Sequence, residues 1–164
     1  MGDGESREIV RPSYPPDANP VPARVARHAL LFDLIDAWGG SEALGQAAHY
    51  MIAAGIVSGL LAAVFGAIDW LAIPGGTRAK RIATMHGLGN VAIVALFALA
   101  WLLRRDDAAN QSTLVLVIEV IAVVGTVVTG WLGGELVDRL GVGVDRGAHL
   151  DAPSSLSGKP AGGA

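Results

Sequence analysis

The chain has 164 residues, 52% of them apolar and only 16% charged, against the roughly 25% charged residues of a soluble domain. A net charge of −3 leaves no general electrostatic case for a nucleic-acid partner, and the absence of cysteine excludes disulfides, iron–sulfur ligation and thiol catalysis. The mean hydropathy is +0.48, and the apolar residues gather in three long runs. That pattern predicts an all-α integral membrane helical bundle, with three full spans plus a short N-terminal amphipathic or half-inserted helix.

Met1 to Pro22 reads as a disordered, Pro-rich arm. Pro12, Pro15, Pro16, Pro20 and Pro22 cannot donate backbone hydrogen bonds, and no apolar core of a signal peptide is present. Ala23 to Trp38 is the first periodic segment. Val25, Leu30, Leu31, Leu34, Ile35 and Trp38 fall near one helical stripe, and Arg24, Arg27, Asp33 and Asp36 fall largely elsewhere. Its apolar part is too short to cross a bilayer, so it is expected to lie at the interface or against the bundle, or to insert halfway. Gly39, Gly40 and Ser41 end it.

Tyr50 to Ile68 is an uncharged run that would span about 28 Å as a helix. Gly55 and Gly59 form a small-residue pair that Ala62 and Gly66 roughly continue, a spacing that lets membrane helices approach closely. Pro74 to Arg81 is a turn followed by Arg78, Lys80 and Arg81. Ile82 to Leu103 contains no Asp, Glu, Lys or Arg and reaches about 33 Å, matching the ~30 Å hydrocarbon core. Arg104 to Ser112 is a polar loop. Thr113 to Leu132 is β-branched and apolar, with one acid, Glu119. In water it would suggest a strand; in this context it is a span. Leu140 to Ala164 is rich in Gly, Ser and Pro. The expected plan is a disordered arm over 1–22, a helical membrane domain over 23–139 (short helix 23–38, spans 50–68, 82–103 and 113–132) and a disordered tail over 140–164.

Three spans put loop 74–81 and the C-terminus on one side, called Y, and the short helix and loop 104–112 on the other, called X. Side Y collects Arg78, Lys80, Arg81, Arg139 and Arg146; side X collects Arg24, Arg27, Arg104 and Arg105. The count leans towards Y as the cytoplasmic side of a multi-pass protein of the cell membrane. Trp38, Trp70, Trp101 and Trp131 all lie near helix ends, where amphipathic rings favour the interface.

The phrases DLIDAWGG (Asp33–Gly40), GAIDWL (Gly66–Leu71), HGLGN (His86–Asn90) and GWLGGELVDRLGVGV (Gly130–Val144) carry a family resemblance. In this order along the spans, the chain resembles the uncharacterised bacterial membrane proteins grouped as the domain of unknown function 2231 family. The similarity covers roughly Leu30 to Val144. It implies a multi-pass helical protein, with no settled biochemical activity attached to the family. Members usually begin with a His-Pro-rich stretch leading into a full first span. Here PARVARHALLFDL stands in that place, and most of a span is missing.

Ionisable residues in a span cost about 2.5–3.5 kcal/mol on insertion scales, so each needs an explanation. Glu119 lies roughly 9 Å below the X edge. It is read either as a proton or cation ligand or partner to a positive group, or as a protonated carboxyl bonded to a neighbouring helix. His49 lies on the same side, within reach. His86 and Asn90 share one helix face near side Y, where Asp69 and Glu135 also end their spans. These four are expected to form one polar cluster, either a metal or cofactor site or proton entry, or interhelical hydrogen bonds that set register. A haem needs two histidines at similar depth. His49 and His86 lie on the order of 25 Å apart by helix rise, whereas His28 and His49 could pair on side X if the short helix folds back.

No serine–histidine–acid phrase, HExxH or catalytically spaced carboxylate pair is present, and GVGVDRG (Gly141–Gly147) does not open a helix after a strand. The leading expectation is a structural or interaction subunit without its own catalysis. It would be bounded by the lipid bilayer and partnered by a second copy or another membrane protein. The alternatives are a haem-binding redox subunit and a proton or small-ion carrier using Glu119.

Overall fold

A computed structural model describes residues 21–162. Four α-helices follow one another up and down: α1 (Val21–Ala37), α2 (Glu42–Ala72), α3 (Arg78–Leu103) and α4 (Thr113–Gly134), the last continuing as a π-helical turn over Glu135–Arg139. Among the described residues there is no strand. Three helices are long and apolar enough to cross a membrane: α2, α3, and α4 with its extension to Arg139. The chain is therefore an all-helical membrane bundle of three spans with a shorter helix before them. The N-terminal arm falls outside the described residues except for Val21 and Pro22, which open α1. Beyond α4 the described chain carries turns and a short 3-10 turn, Ser155–Ser157.

Helix ends follow local chemistry. α1 stops at a double glycine: Gly39 takes φ +96°, and the Gly40 N–H returns to the Ile35 carbonyl at 3.0 Å. α2 starts at once after Ser41 and runs well past the expected 50–68 at both ends. Nothing between Glu42 and His49 breaks a helix, and an acid at the interface does not end one. The helix stops only where Pro74 makes the preceding residue extended, with Ile73 at ψ 128°. At the start of α3, Thr77 Oγ1 accepts the Lys80 N–H at 3.1 Å. α4 continues through Gly133 and Gly134 because helix-forming residues follow, with Leu136 buried behind them.

The helices pack through small residues. Ala26, Ala29, Ala48, Ile52, Ile93, Phe97 and Ala122 form the main buried cluster. Gly59 faces Val94 of α3, Gly89 faces Thr129 of α4, and Gly125 faces Ile93 of α3. The Gly55–Gly59 pair is divided between two neighbours, since Gly55 faces Pro22 and Val25 of α1. In lipid, apolar faces gain little from meeting one another, so close backbone approach carries the packing.

α1 is turned inside out relative to a water-soluble amphipathic helix. Its buried face is Ala26, Ala29 and Asp33, whereas Leu31, Ile35 and Trp38 point outward. Asp33 thus lies on the packed face, not among the outward charges, because it sits four and seven residues after the two alanines that touch α2. The first described turn of α1, at Pro22 and Val25, lies level with Gly55 of α2. Among the described residues, every residue of α2 from Leu60 to Ala72 except Ala62 is exposed.

Gly45 and Gly66 make a matched test of this packing. A Cβ at Gly45 would strike the backbone of Ala109, whereas one at Gly66 meets nothing within 4 Å. Gly45→Ala is expected to cost roughly 1–3 kcal/mol, as overpacking does, and Gly66→Ala to leave stability unchanged. Thermal unfolding of both variants in one detergent checks this.

Candidate functional site

The charged side chains buried in the bundle meet near its X end. Arg104 closes α3, and its guanidinium turns back into the bundle. Asp33 comes from the last turn of α1 and Glu119 from the second turn of α4. Asp33 and Glu119 are both 0% exposed and Arg104 is 2% exposed. Arg104 Nη1 donates to Asp33 Oδ2 at 2.5 Å and Nη2 to Asp33 Oδ1 at 3.0 Å, the two-pronged pairing that a planar guanidinium makes with a carboxylate. Nη1 also donates to Glu119 Oε1 at 3.4 Å. Nη2 reaches the carbonyls of Gly45 on α2 at 2.8 Å and of Ala108 in the loop at 3.0 Å. One side chain thus bonds to α1, α2, α4 and the α3–α4 loop. Gln111 Nε2 completes the frame by donating to the Asp33 carbonyl at 2.8 Å.

His49 stands beside this centre. It is 8% exposed, and its ring stacks on Trp101 with centroids 5.2 Å apart and planes 17° from parallel. Trp101 is therefore a packing partner within the bundle, unlike the exposed Trp38 and Trp131. His28, the other histidine expected on side X, lies on the exposed face of α1. Its Nδ1 donates to the Arg24 carbonyl of its own helix at 2.7 Å. The structure does not turn His28 and His49 towards each other, and the face of the His49 ring is occupied by Trp101.

The residues expected together near side Y are divided among three settings. His86 Nδ1 lies 2.8 Å from the Thr129 carbonyl, so it carries the proton and donates. His86 Nε2 then accepts from Asn90 Nδ2 at 3.0 Å. Nδ1 thereby joins α3 to α4, and Nε2 is held by Asn90 one turn along α3 itself. Glu135 pairs with Arg78 at 2.5 Å on the exposed rim. Asp69 is exposed at the end of α2, beside Trp70, whose ring lies 3.4 Å under Lys80 Nζ. Among the described residues no group of three or more His, Cys, Asp or Glu is placed to hold a metal.

Asp33 and Arg104 are the members of the centre that the sequence reading placed elsewhere. Arg104 read as the stop of a span, and Asp33 as part of a polar face. Two signals pointed the other way. Glu119 needs a cation at its own depth, and the Arg104–Arg105 pair at the X edge supplies one long enough to reach inward. Asp33 shares a stripe with Ala26 and Ala29, the small residues a membrane helix turns towards its neighbours.

This is the anatomy of a helical membrane protein that buries an ionic knot. A family model described as predicted membrane protein (DUF2231) matches residues 20–146, a segment that contains all four helices. The chain belongs to that family. No curated protein and no solved structure matches it.

Removing one partner from a buried ion pair costs about 3–5 kcal/mol, because the other is left uncompensated. Arg104→Met should lose that much in detergent-solubilised unfolding. Arg104→Lys should recover only a minor part, since a single ammonium cannot replace the planar fork.

Proposed function

We propose that the chain is a structural or interaction subunit of the cell membrane, without catalysis of its own. The observation that supports this most is the uncovered second half of α2. Among the described residues α1 reaches the level of Gly55, and beyond Leu60 most residues of α2 are exposed. Gly59, Ala62, Ala63, Gly66 and Ala67 lie along this half, and such small residues suit a close helix neighbour. The buried ionisable groups are engaged in joining helices. An apolar layer of Ile93, Phe97 and Ala122 separates Glu119 from Thr126 and Thr129 further along α4, which favours a knot over a carrier. His28 and His49 face different surroundings, which weighs against a shared haem.

A photo-crosslinking side chain at Ala63 or Ala67, in membranes, is expected to capture protein, either a second copy or another membrane protein. The same probe at Val91, on the outer face of α3, is expected to capture lipid. Capture of lipid alone at both α2 positions would refute the subunit reading.

The same placement supports an orientation. With Arg104 withdrawn into the bundle, side X keeps Arg24, Arg27 and Arg105, while side Y keeps Arg78, Lys80, Arg81, Arg139 and Arg146. The excess favours Y as cytoplasmic. Since the chain has no cysteine, single substitutions report cleanly. An impermeant thiol reagent on intact cells should label Asp106→Cys and spare Lys159→Cys.

A further inference from the structure

Two carboxylates face one guanidinium in the knot, and all three are shut away from solvent. Counted as ions they leave one negative charge without a partner, which a low-dielectric interior does not tolerate. The same end of the bundle holds five buried polar atoms with no hydrogen-bond partner among the described residues: Glu119 Oε2, His49 Nδ1, Trp101 Nε1, Gln111 Oε1 and Arg104 Nε. They come from α2, α3, α4 and the α3–α4 loop, the segments that Arg104 draws together.

Their chemistry selects the ligand. Trp101 Nε1 and Arg104 Nε can only donate, Glu119 Oε2 and Gln111 Oε1 are acceptors, and His49 Nδ1 can do either. A metal cation would bind the acceptors but leave both N–H groups facing a positive ion. An anion would face two carboxylates. A proton brings the missing positive charge, and water, which donates and accepts, can serve the remaining atoms.

We infer that the Asp33–Arg104–Glu119 centre binds one exchangeable proton on Glu119 Oε2, delivered through water from the X face. The step forms one O–H bond, takes the proton from water at the loop 104–112 surface and moves no electrons. The charged and titratable groups around it are Asp33 and, near Gly45, Asp36 of α1, His49 of α2 and Arg104 of α3; α4 contributes Glu119 alone. Ile93, Phe97 and Ala122 close the site towards Y, so exchange is one-sided. The site therefore adds a ligand to the subunit described above without making it a transporter.

Infrared spectroscopy of the full chain in lipid nanodiscs at neutral pH tests this. A protonated carboxylic acid carbonyl band is expected. It should move to lower frequency in D2O, shift when the glutamate side-chain carboxyls carry ¹³C, and vanish in Glu119→Gln. It should also vanish in Asp33→Asn, where Glu119 has the guanidinium to itself and ionises. A spectrum without the band overturns the proposal. So does a band that follows ¹³C-labelled aspartate, resists exchange or survives Glu119→Gln. Should either variant fail to fold, the labelled and deuterated wild-type spectra decide alone.

Discussion

A guanidinium inside a lipid-embedded bundle needs an acceptor for nearly every donor it carries, in one plane and at fixed angles. Arg104 sets that requirement here, and the X end of the bundle is arranged around it. The carboxylate of Asp33, the carbonyls of Gly45 and Ala108 and the Glu119 oxygen come from four different segments. Each must arrive at about 3 Å or the ion stays exposed to a low dielectric. The close approach of α2 to the α3–α4 loop follows from this. Gly45 has no room for a side chain, and the bond its carbonyl accepts depends on that proximity. The position of α1 follows as well. A helix whose large apolar residues point outward gains little from hydrophobic contact inside a membrane. Asp33 adds ion pairing to the close packing of Ala26 and Ala29 on α2.

The two ends of the bundle use charge differently. At the X end the ions are shut in, and deleting one strands another. At the Y end Arg78 meets Glu135 and Lys80 lies over Trp70, with Arg78 and Trp70 exposed. Exposed pairs of that kind contribute little to stability. Between the ends, α4 turns the polar residues inside its apolar run inward, Thr113 at its start being exposed. Glu119, Thr126 and Thr129 are buried, while Val117, Val120, Val124, Val127 and Val128 face out. Thr126 and Thr129 bond back to carbonyls of their own helix, so the middle of the bundle needs no ligand.

The spans and their order are legible in the sequence, because an uninterrupted apolar run of bilayer length has one physical solution. Glu119 is legible as a costly residue in need of a partner. The partner itself is not legible. Whether Arg104 or Arg105 turns inward depends on which side of a helix end each falls, and a single residue rotates that by 100°. Asp33 misleads for a different reason. Its helix shows a stripe of large apolar residues, and in water such a stripe marks the buried face. In a membrane the rule reverses, and the alanines mark it. His86 and Asn90 are correctly placed on one face by their spacing. That Glu135 and Asp69 stand apart from them depends on helix rotations that spacing does not encode.

Among the described residues the two halves of α2 are packed differently: the first is buried against α1, and the second is largely exposed. One end is a rigid head in which four helices are held by a single cation. From Leu60 onward the side-chain hydrogen bonds described for α2 run to α3, from Trp70 to Thr84 and from Lys80 to the Trp70 carbonyl, like a stalk leaving a socket. Membranes differ in thickness by a few ångströms, and helices accommodate the difference by tilting or bending. An exposed half-helix of this kind is where such an adjustment would fall, and the buried ion pairs at the other end are what would resist it.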